Sequence, residues 1–209
     1  MSFLKIGLTG GIGMGKSAAA TWLQNRGVPV VDTDQLAHDL VEPGRPALAE
    51  IIRVFGDGII DEQGRLRRGE LARRVFACKE DRLRLESILH PPIQQAWKDQ
   101  CAMWERQGKP LAVVVIPLLF ETHAERELDR VICVACPAAV QNERLSARGW
   151  DAGHIAARCA AQWPVTRKMQ HSDYVVWNDA GLEVMAAQLA MILDRCGVDQ
   201  ARAGGRSLP

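Results

Sequence analysis

Gly10-Gly11-Ile12-Gly13-Met14-Gly15-Lys16-Ser17 is the stretch of this sequence best equipped for chemistry. It satisfies G-x-x-x-x-G-K-[ST], the P-loop pattern, at each required position. Glycines carry no Cβ, so successive backbone amides can curl round an anion. A helix opening near Gly15 would aim N–H groups and the positive end of its dipole at the same anion. Lys16 is then placed to bridge β- and γ-phosphates, and the Ser17 hydroxyl to ligate Mg²⁺. The predicted cradle for ATP is Gly10, Gly11, Gly13, Met14, Gly15, Lys16, Ser17 and Ala18.

Other charged residues stand where phosphoryl transfer would need them. Val30-Val31-Asp32-Thr33-Asp34 puts two carboxylates at the carboxyl end of a short apolar run. In extended chain, residues two apart point the same way, so Asp32 and Asp34 are expected to share a site. One would take the proton of an acceptor hydroxyl; the other would hold Mg²⁺ or orient the acceptor. The competing reading makes Asp34 the N-cap of a helix starting near Gln35. Arg144 and Arg148 are four residues apart on an expected helix at 138–148 and would share its face. Arginine suits the charge that spreads over a transferring phosphoryl group. Arg158, Arg167 and Lys168 extend this basic stretch into an expected mobile cover. His90, before Pro91-Pro92, either ends a helix or shapes an acceptor pocket.

Elements able to position these groups are legible. Strands are expected at 4–8, 28–31, 111–116, 131–135 and 174–177, each nearly continuously apolar. Such strands belong to a parallel sheet covered on both faces. Helices are expected between them, at 17–25 with Gly27 as its stop, and at 182–193. Leu48, Ile51, Ile52 and Phe55 follow helical spacing. The alternation predicts a doubly wound α/β domain, a three-layer P-loop fold on a five-stranded parallel sheet. The core is expected at about 1–42, 107–138 and 172–198. A helical acceptor-binding insertion fills 43–106, a lid 139–171, and a disordered tail 199–209.

Composition narrows the class. A 209-residue chain with 47% hydrophobic residues supports one domain with a sizeable core. Its net charge of +1 gives no general reason to bind nucleic acid or a membrane surface. No apolar run has the roughly 20 residues of a membrane span. Residues 1–8 lead into a strand pattern without the features of a signal peptide, so the expected compartment is the cytosol. Six scattered cysteines agree with that, and Cys133-x-x-Cys136 lacks the second pair that zinc would need. The guanine-reading N-K-x-D of a GTPase is absent. Val113-Val114-Val115-Ile116 ends in Pro117, not in the Asp of a motor or transporter ATPase. Trp22, Trp97 and Trp104 sit in helical patterns and are read as packing residues.

The ordered set of motifs resembles the dephospho-CoA kinase family from about Ile6 to Gly181. It comprises Gly7-Leu8-Thr9-Gly10-Gly11-Ile12-Gly13 with Gly15-Lys16-Ser17, Val31-Asp32-Thr33-Asp34, Val41-Glu42-Pro43-Gly44, and Phe55-Gly56. It continues through Gly64, Arg68, Leu71, Val75-Phe76, Leu89-His90-Pro91 and Pro117-Leu118-Leu119-Phe120-Glu121. Arg144, Arg148, Gln162, Lys168 and Asp173 to Asn178 complete it. The resemblance implies transfer of the ATP γ-phosphoryl to the ribose 3′-hydroxyl of dephospho-CoA with Mg²⁺, the last step of CoA synthesis. It implies Asp34 as base, acceptor contacts at Asp32, Asp34, His90 and Leu118, Mg²⁺ at Ser17 and Asp32, and a nucleotide contact at Asn178. Three positions depart from the family pattern: Ala18 replaces a threonine, Gly149 follows Arg148 where aspartate is common, and glycine falls late in Asn178-Asp179-Ala180-Gly181. Without the resemblance, a kinase for another nucleotide or nucleoside, and a non-catalytic nucleotide-binding switch, remain open.

Overall fold

The computed structural model of the chain describes residues 3–197; the tail expected at 199–209 lies outside them. The strands are β1 (Leu4–Gly10), β2 (Val30–Asp32), β3 (Leu111–Val115), β4 (Arg130–Ala135) and β5 (Tyr174–Trp177). They form one sheet in the order β2-β3-β1-β4-β5. β1 pairs in parallel with β3 and β4, and β4 with β5. Each parallel neighbour requires a crossover, and the helices supply them.

The chain divides into two compact units, residues 32–102 and the remainder. In the larger unit, Ile6, Leu8, Val113, Val115, Ile132, Val134 and Val176 point to one sheet face. There they meet Ala19 and Leu23 of α1 (Lys16–Asn25) and Met185, Leu189, Ile192 and Leu193 of α9 (Leu182–Arg195). The opposite face is covered as well: a methyl on Gly7 would lie 2.6 Å from carbons of both Leu119 and Leu128. Burial on both faces is why these strands read as unbroken apolar runs.

The smaller unit is helical, with α2 (Thr33–Asp39), α3 (Pro46–Phe55), α4 (Arg68–Ala77) and most of α5 (Lys79–Arg106). Its core is Val41, Ile51, Phe55, Ile59 and Leu71, packed by Val75, Leu85, Ile88 and Leu89. Val41 and α2 belong to this unit. Arg74 ties three of its parts together. Its Nε donates to Asp81 and its Nη1 to the Phe55 carbonyl, both at 2.9 Å, and its guanidinium lies over the Phe55 ring. Helix α5 runs through Pro91 and Pro92, so His90 does not end a helix. Prolines there forfeit two amide donors and clash with the preceding turn; α5 continues because apolar residues on both sides of them, Leu85, Ile88 and Trp97 among these, are packed.

Candidate active site

β1 delivers the chain to Gly10 and α1 takes it up at Lys16, so the strand–loop–helix frame of the motif is present. Gly10 and Gly15 have φ of +144° and +105°, which side chains oppose. A methyl at Gly10 would overlap the Val134 carbonyl, and one at Gly15 the Asn178 amide. The first bond of α1 is Ala19 N–H to Gly15 carbonyl, and Gly15 offers no side-chain cap. The amides ahead of Ala19 are the donors that a helix start presents to a ligand. Lys16 Nζ folds back to the Gly10 and Gly11 carbonyls, each at 3.0 Å. Ser17 is exposed and Ala18 half-buried in the first turn.

Three carboxamides brace this loop. Ile12 N–H donates to Gln162 Oε1 at 3.2 Å, and Gln141 Nε2 donates to the Ile12 carbonyl at 2.7 Å. Asn178 Nδ2 donates to the Met14 carbonyl at 2.9 Å. Asn178 is 5% exposed and its own amide bonds to Ala135. Its side chain occupies the space that Gly15 leaves and braces the loop on which the nucleotide contact was expected. Met14 N–H bonds to Gly11 within the loop at 3.3 Å, while its side chain is buried against Ala135 and Cys136. Gln141 was missed in the sequence; its one signal was a position three residues before Arg144.

Arg144 lies on α6 (Ala138–Ser146) and is half-buried, with Nη1 enclosed and lacking a hydrogen-bond partner among the described residues. A buried guanidinium nitrogen without an acceptor is costly unless an anion meets it. Burial pushes the nearby Cys136 thiol up in pKa, and the Arg144 charge partly offsets this. Arg148 is not on the regular helix. Gly149 N–H bonds to Ser146 and Trp150 N–H to Leu145, a wrapped ending that the φ of +83° at Gly149 permits. Arg148 thus sits exposed in the closing turn, and the helical face expected of the pair is interrupted.

Lys168, expected to extend a mobile cover, lies in the core. It is fully buried, with Nζ 2.6 Å from the Pro117 carbonyl and 2.9 Å from Glu121 Oε1. Glu121 Oε1 also accepts from Trp163 N–H at 2.7 Å, and the Thr9 hydroxyl bonds to Pro117. Pro117 to Glu121 therefore anchors α8 (Val165–Gln170), which packs against β1 and β4, and Lys168 is a core cation. Arg167 stacks on Trp163, its guanidinium 3.4 Å from the ring centre, and Trp163 lies 5.8 Å from Phe120 in near-parallel stacking. Leu118 is half-buried just past β3 and its carbonyl accepts from Thr122.

In the helical unit, Asp32 closes β2 and is itself the N-cap of α2, with Oδ1 accepting Asp34 N–H at 2.9 Å. The helix starts at Thr33, two residues before the expected Gln35, so Asp34 belongs to its first turn and is not the cap. The two carboxylates therefore do not alternate along extended chain. Asp34 and His90 are exposed and Asp32 is half-buried.

The dephospho-CoA kinase (CoaE) family model matches residues 4–183. A dephospho-CoA kinase of Anaeromyxobacter dehalogenans is 46% identical over 205 residues, 98% of this chain and 95% of that protein. One of Chromobacterium violaceum is 42% identical, covering 90% and 92%. A Thermus thermophilus protein of known crystal structure, 34% identical, superposes with a TM-score of 0.81 over 93% of this chain and 98% of its own. The dephospho-CoA kinase of Campylobacter jejuni shares the fold at 23% identity and TM-score 0.69, over 91% and 96%. The match extends over both units and carries the P-loop with it: this chain belongs to the dephospho-CoA kinase family.

Proposed function

We propose that Gly10 to Ser17 holds the phosphates of ATP while the chain passes the γ-phosphoryl to the ribose 3′-hydroxyl of dephospho-CoA, giving CoA and ADP. The observation that carries the residue assignment is the braced loop with Lys16 folded onto two of its carbonyls. Those are neutral acceptors, and phosphate oxygens are stronger ones, so Lys16 exchanges them for charge-assisted bonds when ATP arrives. Arg144 brings an unpartnered guanidinium nitrogen to charge that grows on the equatorial oxygens. Asp34 takes the proton as the 3′-oxygen bonds to γ-phosphorus and ADP leaves; it is favoured over Asp32, whose Oδ1 is committed to the cap. Arg148 stays assigned with Arg144 to the phosphoryl charge, and His90 and Leu118 to acceptor contacts.

The donors here fit Mg²⁺, which prefers a few hard oxygens and shares its shell with phosphates. Ser17 would hold the ion beside the phosphates, with Asp32 as the second assigned ligand; among the described residues no three His, Cys, Asp or Glu gather into a cage. When bound, it neutralises charge on the β- and γ-oxygens. We place the reaction in the cytosol, a reading supported by free cysteines at 78, 101, 133, 136, 159 and 196. No helix among the described residues is long and apolar enough to cross a membrane.

The assay is ADP release with dephospho-CoA, AMP and CMP as parallel acceptors, and a mass measurement on the product. Dephospho-CoA is expected to be the preferred acceptor and to gain one phosphoryl group. Preference for AMP or CMP would overturn the assignment.

A further inference from the structure

Two of the loop-bracing side chains come from the arginine-bearing insertion, and their bonding is complementary. The crest of the loop is Ile12, and both of its backbone groups are taken by side chains distant in sequence. Its carbonyl only accepts, so Gln141 must present its NH₂; its N–H only donates, so Gln162 must present its oxygen. Gln141 is 8% exposed. It lies three residues before Arg144 and four before Leu145 on α6, hence on one helical face with both. Leu145 fills the space beside Gly13, where a methyl would lie 2.8 Å from its Cγ. Helix α6 therefore meets the loop at two consecutive residues, Ile12 and Gly13. A shift of the helix toward Gly13 would strain the Gln141 bond and press Leu145 on the backbone.

We propose that Gln141 and Gln162 are positioning residues for phosphoryl transfer: they fix the loop crest against α6 and so hold Arg144 in register with the phosphate cradle. The proposal rests on the reading that Gly10 to Ser17 binds the ATP phosphates. Gln141 need not touch substrate. It acts through Arg144, whose enclosed Nη1 serves the reaction only if the γ-phosphoryl group arrives where that nitrogen points. Gln162 grips the other side of the same peptide, from the turn that follows α7 (Ala152–Ala160).

The test is a double-mutant cycle on the full chain with ATP and dephospho-CoA, reading kcat, KM for ATP and thermal unfolding. Gln141→Met keeps length and removes the donor. It is expected to lower kcat about tenfold while KM for ATP moves less than roughly threefold, since one positioning bond is lost. In an Arg144→Met background, the same change should cost less than about threefold, because the residue it positions is gone. A purely structural glutamine would lower the melting temperature and cost the same in either background, and that result overturns the proposal, as does an unchanged kcat. Should Gln141→Met fail to fold, Gln162→Met read against Arg144→Met decides in the same way. Lys16→Ala keeps the two readings apart: full turnover there refutes the P-loop assignment itself, whereas an additive cycle beside an inactive Lys16→Ala refutes only the clamp.

Discussion

Lys16 and Asp34 carry the sharpest residue-scale consequences. Lys16→Ala removes one charge-assisted contact to the transferring group and should lower turnover roughly 100- to 1000-fold. The fold should persist, because the bonds lost are confined to the loop carbonyls of Gly10 and Gly11 and the core packing is untouched; turnover and circular dichroism of the purified variant check both halves. Asp32 and Asp34 separate cleanly once the cap is located. Asp32→Asn keeps a side-chain oxygen for the Asp34 amide, and asparagine caps as well as aspartate, so stability should hold. Its turnover should fall chiefly through Mg²⁺ and recover in part as Mg²⁺ is raised. Asp34→Asn removes the base and should cut turnover about 100- to 10,000-fold at every Mg²⁺ concentration, with ATP affinity kept. Steady-state rates of both variants across a Mg²⁺ titration decide this, and an active Asp34→Asn enzyme refutes the base assignment.

Among the elements, α8 and the segment after β3 show how a cation placed in the insertion can be structural. Lys168 is fully enclosed, and Glu121 is 16% exposed at its side chain. Removing one member of such a pair strands a charge, at a cost of about 3 to 5 kcal/mol. Lys168→Met should therefore lower stability in urea by that order. Lys168→Met with Glu121→Gln should regain part of the loss, since glutamine is neutral and still accepts from Trp163 N–H. A Lys168→Met protein as stable as the parent but catalytically dead would return Lys168 to the site. Gln141 on α6, Gln162 after α7 and Lys168 on α8 tie the insertion to the rest of its unit at three places.

For the molecule as a whole, the buried face of the sheet sets a limit on alkaline stability. Burial pushes the Cys133 thiol up to about 11 from an ordinary 9.0, with Lys168, Lys16 and Ser172 acting the other way. A thiol whose pKa rises on folding contributes stability in full below about pH 9, and that contribution fades as pH climbs through 11. Unfolding in urea should thus show a loss between pH 9 and 11 on the order of 2 kcal/mol, and Cys133→Ala should lose less across the same window. Equal losses in both proteins would place the alkaline sensitivity elsewhere. The sequence by itself determined the strands, the loop and the fold class, because those signals are local: apolar runs, glycines that admit strained angles, and a lysine and serine at fixed offsets from them. Tertiary structure alone decided which polar side chains brace the loop and which hold the core. Asn178, Gln141 and Lys168 meet partners at sequence separations of 164, 129 and 51 residues. Asp32 took the cap from Asp34 because a helix start depends on where packing ends the strand. No offset along the chain encodes such choices; they follow from which buried carbonyl or carboxylate the fold leaves in need of a donor.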